Sequence, residues 1–213
     1  MTGAGAWSSP AWYGRGMPLP ADAAGKRRAR LAMAGVQRVL IDQGLMPVVV
    51  LAGGAGPLTY EAIIALQLRW GLPRSGQFRR REAFCLWYPI CHWWQVALAI
   101  PDHLVVGLIG LESGFDPGAE GKVDPRDRGL GQFNSRWWPT VDDARAYGNP
   151  ASCISLVAHN LAAQHERLGS WDAAVAAHNN PAKAAEWART GQAPDDQIRR
   201  YVDLVRRTAG RPI

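Results

Sequence analysis

The stretch from Asp102 to Glu112 leaves a folding chain little choice. After Asp102 and His103 it reads Leu-Val-Val-Gly-Leu-Ile-Gly-Leu, and no polar residue interrupts it until Glu112. Pro101-Asp102 predicts a helix start and Ser113-Gly114 a stop. A helix apolar on every side has no face to offer water, so it must be packed inside a core. Glu112 then becomes a carboxylic acid at the C-terminal end of a buried helix. There, apolar neighbours and the negative end of the helix dipole both disfavour the ionised form. Such a setting suits a group that holds a proton and delivers it during a reaction.

Three motifs follow one another along the chain. They are Glu112-Ser113-Gly114-Phe115-Asp116-Pro117, then Asp127-Arg128-Gly129-Leu130-Gly131-Gln132-Phe133, then Trp171-Asp172-Ala173-Ala174-Val175-Ala176-Ala177-His178-Asn179. In this order they resemble the soluble lytic transglycosylase family of the lysozyme superfamily, over roughly residues 95–207. The resemblance implies a mostly helical, lysozyme-like domain with a groove for a peptidoglycan strand, and cleavage between N-acetylmuramic acid and N-acetylglucosamine. Glu112 would be the general acid, and afterwards the base that deprotonates the muramyl C6 hydroxyl to leave a 1,6-anhydro end. Ser113, Gly131, Gln132, Phe133, His178 and Asn179 would bind substrate, the glycines of the loop letting backbone approach sugar closely. His178 stands where the family usually has Tyr, and Asn180-Pro181 replaces its usual Gly.

Most glycoside hydrolases use a second carboxylate. The family route replaces it with the muramyl acetamido carbonyl as internal nucleophile. Asp116, Asp124 and Asp127 follow Glu112 closely, and any of them holding a water would make the enzyme a hydrolytic muramidase. The Asp-Pro steps at Asp116-Pro117 and Asp124-Pro125 give these residues a simpler reading as turn formers.

Charge divides the chain. Met1 to Ile100 carries 11 Lys and Arg against 4 Asp and Glu, and Pro101 to Ile213 carries 13 against 14. The basic excess sits in Lys26-Arg27-Arg28-Ala29-Arg30 and Arg79-Arg80-Arg81. Either run reads as a solvated face or as a surface for an anionic partner. With the glycan reading, the anionic cell envelope is the expected partner; no nucleic-acid motif accompanies the charge.

Residues 1–25, rich in Gly, Ala, Ser and Pro with Trp7, Trp12 and Tyr13, read as an irregular arm. Residues 26–88 follow as a helical segment. Within it are Val36-Gln37-Arg38-Val39-Leu40, the turn Gly53-Gly54-Ala55-Gly56, a helix from Thr59 as N-cap to Gln67, and Trp70-Gly71-Leu72 with Gly76. This order resembles the small three-helix peptidoglycan-binding domain. Residues 89–213 form the catalytic region, with helices expected from Asn149-Pro150 to Leu168, from Ser170 or Trp171 through His178, and from about Pro194 to Arg207. The fold class expected is all-α.

Ala83 to Ile100 contains Pro89, His92 and Gln95 and falls short of the roughly 20 residues of a membrane span, so it reads as a buried helix. Cys85, Cys91 and Cys153 are odd in number and fit no zinc spacing, which predicts buried thiols. His159, His165 and His178 lack a carboxylate at ligand spacing; neither metal nor other cofactor is expected. Trp137 and Trp138 offer rings for a sugar face or for the core. No signal peptide is read at the N-terminus. A wall-binding segment joined to such a catalytic region resembles the modular phage endolysins. That implies a monomer made in the host cytoplasm that acts on the wall after release, or a virion-carried lysin. A non-catalytic phage structural protein of the same fold is the remaining alternative.

Overall fold

The computed structural model describes residues 20–47, 54 and 56–209. Trp7, Trp12 and Tyr13 of the expected arm, and Gly53 and Ala55 of the expected turn, lie outside the described residues. The elements are α1 (Ala23–Asp42), α2 (Pro57–Arg69), α3 (Arg80–Ala97), α4 (Leu104–Glu112), β1 (Asp127–Arg128), β2 (Phe133–Asn134), α5 (Asp143–Ala146), α6 (Pro150–Leu168), α7 (Trp171–Asn179), α8 (Pro181–Thr190) and α9 (Asp196–Ala209). The fold is all-α apart from the short antiparallel pair β1–β2, in which Asp127 faces Asn134 and Arg128 faces Phe133. Two compact units share the chain. One takes the described residues up to Trp87 together with Ser113–Pro150, the other Tyr88–Glu112 together with the described residues from Ala151 on.

In the first unit, α1 starts where the Asp22 carboxylate accepts a hydrogen bond from Gly25 N at 2.7 Å. Ala32, Met33, Val36, Val39 and Leu40 bury its apolar stripe, the 3.6-residue spacing that the sequence predicts. At Gly35 an added Cβ would lie 2.6 Å from the Pro150 ring, so only glycine permits this approach. Thr59 is not the N-cap of α2. The cap is Gly56, because Pro57 at N1 has its φ already set for a helix and no N–H to satisfy. Thr59 is buried in the first turn instead, where its hydroxyl accepts from Gln37 Nε2 at 2.8 Å. Gln37 Nε2 also donates to Gly54 O at 2.8 Å.

Gln67 organises the end of α2. Its side chain is fully buried, and its Nε2 donates to Ser75 Oγ (2.9 Å), Gln77 O (3.2 Å) and Glu82 Oε1 (2.9 Å). Its Oε1 accepts from Gly76 N at 3.1 Å. Gly76 itself has φ of 64°, the left-handed region glycine enters freely. Glu82 closes the start of α3 by accepting from Arg79 N at 2.9 Å.

The Ala83–Ile100 stretch is helical as far as Ala97, but not buried throughout. Leu86, Trp87, Cys91 and Gln95 are buried, whereas Trp93 is 60% exposed and Val96 67%. Helical period, rather than mean hydropathy, decides which of these residues face inward. Among the described residues, no helix is long and apolar enough to cross a membrane. Cys85, Cys91 and Cys153 are buried thiols; burial pushes Cys85 up to about 11 and Cys91 further.

The second unit contains the buried helix. Every residue of α4 from Leu104 to Gly110 is buried. The helix begins two residues later than Asp102, because His103 takes φ of 71°. α4 packs on α9, and α7 packs on both α8 and α9. α7 begins at its Ser170 cap and buries Ala173 through Ala177, four alanines and a valine. Sequence reading misses α8 altogether. Its start explains Asn180-Pro181: Asn180 Oδ1 caps Lys183 N at 3.1 Å and Pro181 takes N1. An ion pair between Lys183 and Asp195 at 2.6 Å and a hydrogen bond from Ile198 N to Asp195 Oδ1 at 2.9 Å lead into α9.

Candidate active site

Glu112 is the last residue of α4 and is half-buried. The chain must turn sharply after it, and does so through Gly114 (φ 62°) and Phe115 (φ 72°). A left-handed phenylalanine is strained and persists only where its surroundings hold it. Here Phe115 is 1% exposed, its carbonyl accepts from Trp87 Nε1 at 3.0 Å, and its ring meets the edge of Phe84 at 5.6 Å.

In the second unit the hydroxyl of Tyr201, on α9, donates a short hydrogen bond to Glu112 Oε1. The two residues are 89 positions apart in sequence. Burial first, and then the neighbouring Glu112 carboxylate, holds the Tyr201 phenol well above its usual range, so it stays a neutral donor. Glu112 Oε2 takes no hydrogen bond among the described residues. Sequence reading places Tyr201 on the apolar stripe with Ile198, Val202 and Val205 and gives it no chemistry. The only signal was a single hydroxyl set in that stripe. If Glu112 works on the glycan strand that the sequence motifs lead one to expect, Tyr201→Phe lowers kcat about tenfold or more with KM little changed, the worth of a hydrogen bond to a charged group. An unchanged kcat, measured as release of soluble fragments by a variant with wild-type melting behaviour, would remove Tyr201 from the machinery.

His178 and Asn179 end α7, His178 half-buried and Asn179 exposed. Their helix and that of Glu112 both pack on α9. The other residues picked out by sequence belong to the first unit: Ser113 is 3% exposed, Gly131 is buried, Gln132 is half-buried and Phe133 is 2% exposed. Gln132 has φ of 49°, and its Nε2 donates to Gly129 O at 2.9 Å and Ala119 O at 3.3 Å, so its amide braces the loop that carries it. At Gly129 (φ 70°) a Cβ would lie 2.2 Å from Ala146 O; the close approach this glycine permits is to the protein's own backbone. Phe133 meets the edge of Trp138 at 5.1 Å, so Trp138 is the inward ring of the pair. Trp137 is 70% exposed, with the Arg136 guanidinium 4.9 Å from its ring.

Each of the three aspartates that follow Glu112 in the sequence is engaged in loop structure. Asp116 Oδ1 accepts from Gly118 N at 2.8 Å. Asp124 pairs with Arg126 at 2.8 Å and accepts from Asn134 Nδ2 at 3.0 Å, and Asp127 accepts from the same amide at 2.7 Å. Arg126 holds Asp124 far below the usual carboxylate range. Burial pushes Asp116 up to about 6, against the lowering effect of the Gly118 N–H and of Arg28. Its folded-state pKa is thus raised above the unfolded 3.8, so its contribution to stability is full below about pH 4 and is lost as pH rises through about 6. We expect Asp116→Asn, which keeps an oxygen for Gly118 N, to flatten that segment of melting temperature against pH; an unaltered slope would contradict it. His165 stacks on Trp171 at 3.8 Å and His159 meets Trp94 at 4.6 Å. Among the described residues no three His, Cys, Asp or Glu are grouped to hold a metal.

Compared with protein-family models, residues 91–199, just over half the chain, match the transglycosylase SLT domain. Tyr201 lies just beyond the matched span. No curated protein and no solved structure matches the chain.

Proposed function

The chain belongs to the transglycosylase SLT domain family, a lysozyme-like peptidoglycan lytic transglycosylase, and from that premise we propose that Glu112 is its single acid and base. The observation that carries this reading is the Tyr201 hydroxyl donating to Glu112 Oε1. With Oε1 occupied as an acceptor, Oε2, which no described residue holds, is the oxygen left to exchange a proton with substrate. Oε2 passes that proton to the bridging oxygen between the muramyl C1 and the next sugar, and the C1–O bond breaks. The muramyl acetamido oxygen attacks C1 from the opposite face. The Glu112 carboxylate then removes the proton of the C6 hydroxyl, whose oxygen displaces the acetamido group and closes the 1,6-anhydro ring. No water is consumed.

Ser113, Gly131, Gln132, Phe133, His178 and Asn179 remain our assignment for substrate contacts, through their match to the family motifs. The engagement of Asp116, Asp124 and Asp127 in turns supports the non-hydrolytic route, since each carboxylate already has a loop partner. For residues 26–88 we propose wall binding. Support comes from the two buried glutamines, Gln37 tying α1 to Gly54 and to Thr59 of α2, and Gln67 tying α2 to Gly76 and to Glu82 of α3, in the order that the peptidoglycan-binding resemblance expects. A wall-bound module raises the local substrate concentration for the catalytic residues without a new contact at the scissile bond. The pairing of the two supports a lytic role in phage infection, as a monomeric endolysin released onto the wall or as a lysin carried by the virion.

The test is mass spectrometry of fragments released from purified peptidoglycan, reduced with borohydride. Anhydro-muramyl ends that resist reduction are expected from the wild type and not from Glu112→Gln. Reducible ends would instead place a water, and one of the aspartates, in the reaction.

A further inference from the structure

The basic run of α1 does not stand alone on a solvated face. Arg27 and Arg28 line a cleft of about 290 Å³ inside the first unit, together with Arg126 and Arg128 from the loop that ends in β1. This volume falls at the small end of ligand clefts, about 300 to 1,000 Å³, and suits the end of a chain rather than a folded partner. Four guanidinium groups face two lining carboxylates, Glu120 and Asp143, which pair with Arg28 at 2.7 Å and Arg128 at 2.6 Å. Arg126 is held by Asp124, outside the lining. The Arg27 side chain takes no ion pair or hydrogen bond among the described residues. Arg128 is engaged at both ends of its fork, its Nη1 pairing with Asp143 and its Nη2 donating to Val141 O, so among the four guanidinium groups Arg27 is the one left open to a ligand. Tyr147 also lines the cleft, and burial pushes its phenol up to about 12, which keeps it a donor.

We infer that this cleft binds the carboxylate end of a peptidoglycan stem peptide, with Arg27 as its principal donor. The inference rests on the peptidoglycan reading above and adds a second recognition point to it. A carboxylate matches the guanidinium fork in two parallel hydrogen bonds. The two acids in the lining select between anions: a peptide ending in a diamino acid brings an ammonium to meet Glu120 or Asp143, whereas a phosphodiester wall polymer brings nothing positive to either.

Titration calorimetry of the full-length protein tests this with the free tripeptide Ala-γ-Glu-Lys. The peptide has no glycosidic bond, so its binding is read independently of cleavage. We expect saturable binding that weakens about tenfold to a hundredfold when the C-terminal carboxylate is amidated, and likewise in Arg27→Gln, the loss of one charged hydrogen-bonding group. Arg27→Lys, which keeps the charge and loses the fork, serves as a second variant should Arg27→Gln melt early, and it too should weaken binding. Equal binding of the amidated peptide, unaltered binding by both variants, or tighter binding of a glycerophosphodiester overturns the inference. Anhydro-end formation measured on the same preparations separates the two readings: cleavage without peptide binding sinks the cleft alone, and peptide binding without cleavage sinks the catalytic proposal alone.

Discussion

Glu112→Gln lowers turnover of peptidoglycan by about a thousandfold or more, the upper range of what one positioned acid–base group supplies. The substitution is nearly isosteric, and its amide oxygen still accepts from the Tyr201 hydroxyl, so the end of α4 and its contact with α9 persist. What disappears is the proton. An amide can neither protonate the bridging oxygen nor take up the C6 hydroxyl proton, and both steps of the proposed route pass through this one group. The rate of soluble fragment release, with KM measured alongside, decides the matter. Activity within tenfold of wild type in a correctly folded variant would show that the acid lies elsewhere.

Gln67→Ala is expected to unfold the first unit more readily by about 3 to 5 kcal/mol, a large share of the 5 to 15 kcal/mol that holds a typical domain together. The side chain is fully buried and makes four hydrogen bonds. Its removal strands Gly76 N–H and takes a donor from Glu82, which is itself only 6% exposed. A buried carboxylate short of a donor is costlier than an empty apolar site of the same size. Ser75→Ala, which deletes a single hydroxyl of an exposed residue, is the control and should cost about 1 kcal/mol or less. Urea denaturation followed by tryptophan fluorescence reads both; equal midpoints for the two variants would deny Gln67 its place as organiser.

These residues also show what sequence could disclose. α4 was legible because eight consecutive apolar residues must be buried and the start and stop signals at Pro101-Asp102 and Ser113-Gly114 select a helix for them, and Glu112 was legible as the first polar residue after the run. α6, α7 and α9 were legible from their periodic stripes and their caps. α8 was not, because its only announcement, Asn180-Pro181, also reads as a loop, and the helix has little apolar face, with Ala184 its buried residue. At Thr59 the preference of threonine for N-caps lost to the preset φ of Pro57 two residues earlier. The exposed half of α3 shows that an apolar composition does not bury a helix when the period places Trp93 and Val96 on the outer side. At the candidate site, short-range motifs were visible because each lies within one loop or helix. Tyr201 was hidden because its partner lies 89 residues away, and nothing local distinguishes a phenol that packs from a phenol that donates.

The four alanines buried in α7 set a mechanical tolerance for the second unit. Where this helix packs on α8 and α9, most of its buried side chains end at a methyl group with no rotatable torsion to relax. The spacing of such helices is fixed by backbone rather than by rotamer choice, so the position of α9, and with it the reach of the Tyr201 hydroxyl, varies little with the thermal hopping of side chains. The same rigidity leaves no slack: α7 can lose its alanines only to residues as small, whereas the solvent side of α9 is free to drift in sequence.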